Sequence, residues 1–264
     1  MRRLALLLAL LSTACAGGDT AGGGASCASD TAHWARAAGG CLAMQSYGPE
    51  RAEVLFVVLH GDVSSGGPAT YHRAFARRVA ETVPGATAFA LIRPGYDDGE
   101  GRTSAGELNN RSDHYTAANV ALVAEAVAGL RQRTGARRVV AIGHSGGAAM
   151  AADILALHPG TFDGAVLLAC PCNLAEWRTG RTPWLRSVSP HSVAARVPVT
   201  ARVVAYTGSA DTNTAPSQAA GYVAALAARG VPARFTAVPG ATHNGVVEAV
   251  WSTDYPQALL AMTR

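Results

Sequence analysis

Apolar residues fall into short continuous runs that alternate with longer amphipathic stretches from Glu53 onward. Short apolar runs are typical of strands buried on both faces, whereas apolar residues spaced by three and four are typical of helices. The runs predict six strands, at 54–59, 87–92, 138–142, 164–169, 202–206 and 234–238. The amphipathic stretches predict helices at 71–82, 115–134, 146–158, 216–229 and 245–263. This alternation predicts an α/β fold, a mostly parallel open sheet with helices on both faces.

One long segment interrupts this rhythm. Residues 170–198 are rich in Pro, Arg and Trp and have no clear periodicity. An insertion at the carboxyl end of a strand commonly covers the ligand crevice of such a sheet. We therefore expect a short cap there.

Composition supports one sizeable globular domain, since the 264 residues are 49% hydrophobic and 15% charged. All 22 basic residues are Arg, and against 18 acids they give a formal charge of +4. The Arg residues are scattered, with no run longer than two, so the basic stripe that follows a phosphate backbone is missing from the sequence. We expect no nucleic-acid partner.

The N-terminus has the pattern of a secretory signal. Arg2 and Arg3 precede an apolar run at 4–11, which is far shorter than the roughly 20 residues of a membrane-spanning helix. Residues 11–15, Leu-Ser-Thr-Ala-Cys, resemble a bacterial lipobox, although Ser12 stands where such boxes more often carry Leu. The resemblance implies a signal peptide at 1–14, a lipidated Cys15 and a flexible anchored segment at 15–40 before a domain at 41–264. We expect a lipoprotein at the periplasmic face of the outer membrane, with a secreted or soluble periplasmic protein as the alternative.

Four further cysteines remain if Cys15 is lipidated, an even number that suits an oxidising compartment. Proximity favours pairing Cys27 with Cys41 and Cys170 with Cys172. A bridge across Cys-Pro-Cys would be strained, so a cross pairing that ties the N-terminal segment to Cys170 stays open. No His lies at ligand spacing from the Cys-Pro-Cys pair, and we expect no metal there.

Residues 139–148 join an apolar strand to an Ala-rich helix through Gly-His-Ser-Gly-Gly. This is the pattern of a nucleophile elbow, in which a strained turn lifts the serine hydroxyl out of the sheet. Gly143 and Gly147 are predicted to be small because a Cβ at either position would collide across the turn. The sequence therefore predicts Ser145 as a nucleophile at the N-terminus of a helix.

A serine hydroxyl needs a base, and the base needs a third group that fixes its tautomer. Asp211 follows the strand at 202–206, and His243 follows the strand at 234–238. Each of the three side chains comes just after a predicted strand, where parallel strands gather a site. The order Ser145, Asp211, His243 is the chain order of α/β-hydrolases.

From about Glu53 to its C-terminus the chain resembles the α/β-hydrolase superfamily of serine hydrolases, in particular its esterases and lipases. The resemblance implies that Ser145 is the nucleophile, Asp211 the acid and His243 the base. His60-Gly61-Asp62 is similar to the turn that supplies one oxyanion donor, so the amides of Asp62 and Gly146 are expected to form the oxyanion hole, with Val63 as the alternative to Asp62. The resemblance implies no cofactor and no metal.

The expected reaction is hydrolysis of a small-molecule carboxylic ester through an acyl-enzyme. A peptidase or amidase on the same fold is the first alternative, and a lipid-anchored binding protein without activity is the second. His144, Trp177 and Trp184 are expected either to line the substrate pocket or to pack beside it. We expect a monomer or weak oligomer that meets the membrane only through its lipid anchor.

Overall fold

Eight strands form one sheet in the computed structural model, which describes residues 27 and 29–264. The strands are β1 (Trp34–Ala37), β2 (Gly40–Tyr47), β3 (Val54–Leu59), β4 (Thr87–Leu91), β5 (Arg138–His144), β6 (Gly164–Leu168), β7 (Arg202–Gly208) and β8 (Ala233–Val238). Their order across the sheet is β1-β2-β4-β3-β5-β6-β7-β8. The β1/β2 and β2/β4 pairs are antiparallel and the others parallel. The predicted α/β-hydrolase architecture is confirmed. The predicted signal peptide and Cys15 lie outside the described residues.

Helices cover both faces of this sheet. They are α1 (His72–Thr82), α2 (Ala117–Thr134), α3 (Gly146–Leu157), α4 (Leu174–Trp177), α5 (Pro190–Val193), α6 (Pro216–Ala227), α7 (Val246–Ala249) and α8 (Tyr255–Met262), with 3-10 turns at Asn109–Arg111, Ala194–Arg196 and Val250–Ser252. Leu55 and Val57 of β3 pack in the core with α2, α3 and α6, while Phe56 and Val58 pack with α1 and α8 on the opposite face. A strand alternates its side chains between faces, so a continuous apolar run supplies two cores at once.

The N-terminal strands β1 and β2 were not among the predicted elements. β1 has no apolar run, and the run in β2 covers only residues 41–44. The two strands pair as a hairpin that closes at Ala37 and Gly40. Gly40 has φ of 138°, a conformation that favours glycine. The described end of the predicted flexible segment, residues 15–40, is therefore part of the sheet, and a disulfide joins Cys27 to Cys41.

The C-terminal helix predicted at 245–263 is broken into α7, a 3-10 turn and α8. Pro256 lies in the first turn of α8. Proline lacks an amide proton and disfavours helical geometry in the residue before it, so it starts a helix readily and interrupts one already under way. The predicted single helix was wrong because Pro256 starts a new helix instead of continuing the one before it.

The parallel strands place the loops that hold the predicted site residues at one edge of the sheet. Strands β3 and β5 are neighbours, with Leu59 opposite Gly143, and β7 and β8 are neighbours, with Gly208 opposite Val238. The insertion after β6 holds α4 and α5 and begins with a second disulfide, Cys170–Cys172. Within the described residues, no helix has both the length and the apolar character needed to cross a membrane.

Candidate active site

Ser145 stands at a sharp turn between β5 and α3. Its φ of 52° and ψ of −121° are unusual for a residue with a side chain, and its amide donates to the Leu168 carbonyl at 2.8 Å. A Cβ at Gly143 would lie 2.5 Å from the Ala148 nitrogen, and one at Gly147 would lie 2.5 Å from the His60 carbonyl oxygen. The two glycines therefore permit a turn whose strain presents the Ser145 hydroxyl above the sheet.

The structure brings the three predicted triad side chains together. His243 Nε2 lies 3.0 Å from Ser145 Oγ, and His243 Nδ1 lies 2.9 Å from Asp211 Oδ2. These distances are within hydrogen-bond range, and the serine, imidazole and carboxylate follow one another in a line of contacts. The arrangement suits removal of the serine proton by Nε2 while the carboxylate holds Nδ1 protonated.

Asp211 is buried, and its carboxylate accepts several hydrogen bonds. The amides of Asn213 and Thr214 donate to its Oδ1 at 2.8 and 2.9 Å, and Thr214 Oγ1 donates to its Oδ2 at 2.7 Å. Burial raises the pKa of the Asp211 carboxyl, but hydrogen bonds from His243 and Thr214 outweigh burial and hold that pKa below its ordinary value. The group is therefore a carboxylate at neutral pH.

His144, the residue before Ser145, belongs to a chain of hydrogen bonds that joins two loops. The Gly61 amide donates to Tyr71 Oη at 2.5 Å, and Tyr71 Oη lies 2.7 Å from His144 Nδ1. His144 Nε2 lies 3.0 Å from the carbonyl oxygen of His243. Burial lowers the pKa of His144 to about 4, so the ring is neutral: Nδ1 accepts from Tyr71 and Nε2–H donates to His243.

The turn after β3 lies against the elbow. Gly61 uses its amide on Tyr71, whereas no hydrogen bond among the described residues uses the amide of Asp62 or of Gly146. The Asp62 carboxylate accepts from buried Arg93 at 2.9 Å and from the Tyr115 hydroxyl. Burial raises the pKa of Asp62, but Arg93, His114 and Tyr115 together outweigh burial and keep that pKa low. The guanidinium thus neutralises a carboxylate that lies close to Gly146, the residue after Ser145.

A cavity of about 830 Å³ opens above Ser145. Its walls include all three predicted pocket residues, His144, Trp177 and Trp184. The two indole rings meet edge to face, with centroids 5.1 Å apart, and form an aromatic wall on the cap. Within the described part of the chain, no group of three His, Cys, Asp or Glu side chains is placed to hold a metal ion.

Three residues of the site were not found by sequence reasoning: Tyr71, Arg93 and Thr214. Arg93 follows β4, a neighbour of β3, so its place after a strand was a usable signal. Tyr71 and Thr214 belong to no recognisable sequence motif. They reach the site through contacts with His144 and Asp211 that exist only in the folded chain.

Comparisons with known proteins bear on the family and the fold of this chain. The model of the prolyl oligopeptidase family matches residues 87–258. Among solved structures, puromycin hydrolase is 19% identical with a TM-score of 0.65 over 87% of this chain and 38% of its own. Est1E from Butyrivibrio proteoclasticus is 13% identical with a TM-score of 0.64, covering 87% of this chain and 97% of Est1E. Dipeptidyl peptidase 4 from Porphyromonas gingivalis is 16% identical with a TM-score of 0.61, covering 86% and 35%.

These identities show a shared fold and no more, and the chain spans less than half the length of the two larger neighbours. Comparison with curated protein sequences found no match. The family match is different in kind, because it rests on the sequence itself and extends over about two thirds of the chain. On that match the chain belongs to the prolyl oligopeptidase family of serine hydrolases.

Proposed function

We propose that this protein hydrolyses carboxylic esters through an acyl-enzyme on Ser145. The observation that carries the proposal is the continuous contact from Ser145 Oγ to His243 Nε2 at 3.0 Å and from His243 Nδ1 to Asp211 at 2.9 Å, at the floor of an open cavity. A serine, an imidazole and a carboxylate in this geometry are the parts that acyl transfer requires.

In the first half of the reaction, His243 Nε2 takes the proton of Ser145 as Oγ bonds to the substrate carbonyl carbon. The carbonyl oxygen becomes an oxyanion, which the amides of Asp62 and Gly146 stabilise. Loss of one such donor costs about 3 kcal/mol of transition-state stabilisation. His243 then gives its proton to the departing alkoxide, and the acyl group stays on Ser145.

In the second half, a water molecule attacks the acyl carbon while His243 Nε2 takes its proton. The new oxyanion forms in the same place and collapses, and Ser145 leaves as it recovers its proton from His243. Asp211 stabilises the charged imidazole in both halves, because it faces Nδ1 and is a carboxylate at neutral pH.

The residue after the nucleophile supports an ester substrate. Many hydrolase-fold peptidases carry an aromatic residue at this position, whereas this chain has Gly146. A Cβ at Gly146 would lie 2.5 Å from Asp62 Oδ1 and still closer to the Tyr115 hydroxyl, so the site has no room for a larger side chain. Amide hydrolysis is the second candidate, favoured by the family match and by the likeness to puromycin hydrolase.

The test uses p-nitrophenyl esters of increasing acyl length, aminoacyl anilides and a fluorophosphonate label. We expect ester turnover and labelling of Ser145 in the wild type, and neither in Ser145→Ala. Ser112→Ala is the control, because Ser112 lies on the same cavity wall outside the triad. Ester turnover by Ser145→Ala would contradict the proposal. Labelling with anilide turnover alone would favour the amidase, and failure to label at all would favour a binding protein.

We also propose that the protein is exported as a lipoprotein. The N-terminal pattern supports this, as do disulfides at Cys27–Cys41 and Cys170–Cys172, which suit an oxidising compartment. In a bacterial host, radioactive palmitate should label the wild type and leave Cys15→Ser unlabelled. Equal labelling of both would contradict the anchor.

A further inference from the structure

The cavity above Ser145 carries an excess of positive charge. Arg111, Arg178 and Arg181 all lie on its wall. Its two carboxylates do not balance them, since Asp62 is paired with Arg93 at 2.9 Å. The other, Glu248, has a side chain 79% exposed to solvent and approaches Arg78 at 3.5 Å. Three Arg residues therefore line the substrate space without a matching anion on the wall.

Arg178 is held in place by groups that carry no charge. Its Nε donates to the Thr182 carbonyl at 2.9 Å, and its Cζ lies 5.3 Å from the ring centroids of both Trp177 and Trp184. Among the described residues, no carboxylate oxygen lies within 4.0 Å of its guanidinium nitrogens. A guanidinium supported on indole rings keeps its two Nη groups for a bidentate partner and loses little conformational freedom on binding one.

Arg111 and Arg181 add charge from two sides. Arg111 donates to the carbonyls of Val63 and Gly67 at 2.9 Å each, which fixes its position at the rim without neutralising it. Arg181 is exposed, and no hydrogen bond of its side chain is found in the described part of the chain. Its long side chain is free to reach a ligand group beside Arg178.

We propose that the substrate of this cavity is an ester that also carries a free carboxylate on its acyl or alcohol part, and that Arg178 and Arg181 bind that carboxylate. This substrate class rests on the proposed ester hydrolysis. Arg178 supplies the planar fork that matches a carboxylate, Arg181 a second donor, and Arg111 a fixed charge that attracts the anion. The indole wall below Arg178 shields the pair from water and strengthens it.

The test compares matched substrates. Mono-p-nitrophenyl glutarate and p-nitrophenyl pentanoate differ by a carboxylate in place of a methyl group on the acyl side, and 4-acetoxybenzoate and its methyl ester differ on the alcohol side. For each pair the ratio of kcat/KM, anionic over neutral, is measured in the wild type, Arg178→Gln, Arg181→Gln and the double variant. Arg137→Gln is the matched control, since Arg137 is 76% exposed and precedes β5 at the opposite edge of the sheet.

We expect the ratio for one pair to fall about 10-fold or more in the double variant, mainly through KM, because loss of an ion pair of this kind is worth at least a factor of ten. The single variants should fall less, and Arg137→Gln should match the wild type. Raising the salt concentration should lower the ratio in the wild type and leave it nearly constant in the double variant. A thermal melt of each variant checks that it folds.

Two negative results are distinguishable. If every variant hydrolyses both members of each pair with the wild-type ratio, the carboxylate site is overturned and ester hydrolysis stands. If the wild type hydrolyses no ester but cleaves anilides, the proposed function is overturned, and the substrate class falls with it.

Discussion

His144 connects two loops of the site from its position next to Ser145. Its ring connects Tyr71, and through it the Gly61 turn, to the main chain of His243. The sequence placed it near the pocket, and the structure adds that both ring nitrogens are engaged. The turn at residues 60–62 and the loop that holds His243 follow different strands. The neutral His144 ring between them therefore sets the distance between these two parts of the site.

We therefore expect His144→Leu to lower kcat about 10- to 100-fold with little change in KM, since a misplacement of about 1 Å in a catalytic group costs rates of this order. Tyr71→Phe should act in the same direction, because it leaves both Gly61 N–H and His144 Nδ1 without a partner. Steady-state kinetics on a p-nitrophenyl ester, with a thermal melt, measures the effect. His158→Gln, a change in a partly exposed residue at the end of α3, is the control. Wild-type kcat in His144→Leu would refute this role.

The β5–Ser145–α3 elbow is the element on which the site depends. The helix α3 is buried along almost its whole length, and Gly143 and Gly147 pack against main-chain atoms. Neither the strand nor the helix can move aside, because neighbouring strands and helices hold each of them. A methyl group in the turn would therefore have to be accommodated by displacing backbone.

We expect Gly143→Ala to destabilise the protein by about 1–3 kcal/mol, the usual cost of overpacking a close-packed region. Gly221→Ala is the matched control, because Gly221 is in the middle of α6 and a Cβ added there would meet no atom within 4 Å. There the same substitution should raise the free energy of unfolding by up to about 1 kcal/mol, since alanine favours a helix more than glycine does. Urea unfolding of both variants measures the two effects, and a shift of the same sign in both would contradict the expectation.

Across the whole molecule, buried histidines make stability sensitive to acid. His60, His72, His114 and His144 are all buried, and burial lowers the pKa of each. The lowered pKa values are about 3 for His72 and about 4 for His144, against about 6.5 in an unfolded chain. At pH values between these folded and unfolded pKa values, the unfolded chain binds more protons than the folded one.

The free energy of unfolding should therefore be greatest above pH 6.5 and decrease as the pH falls towards 4. His144 alone contributes about 3 kcal/mol over this window, since one pKa unit is worth roughly 1.4 kcal/mol. Below about pH 4 the paired carboxylates Asp62 and Asp211, whose pKa values are lowered, add a further loss. Urea unfolding at pH 7, 5.5 and 4.5 measures the slope, which His72→Gln should make shallower. A constant free energy of unfolding between pH 6.5 and 4.5 would contradict this account.

Local patterns in the sequence were enough to predict the central sheet and the order of the triad. Six apolar runs became the six strands β3 to β8, and Ser145, Asp211 and His243 came together because parallel strands end at one edge. For such residues, position along the chain implies position in space. Strands β1 and β2 were not predicted because β1 has no apolar run and the run in β2 covers only residues 41–44.

The contacts around the triad arise only in the folded chain. Three of these contacts join separate parts of the chain. Arg93 pairs with Asp62, His144 connects Tyr71 to the main chain of His243, and the Arg178 guanidinium packs on two indole rings. Their strength depends on burial and on distances of a few ångströms, and the sequence contains neither. The sequence was enough to predict the central sheet and the chain order of the candidate triad, because both follow from periodicity and strand order. The charge pairing and the hydrogen-bond path around the triad depend on packing, because only packing brings these side chains within contact distance of one another.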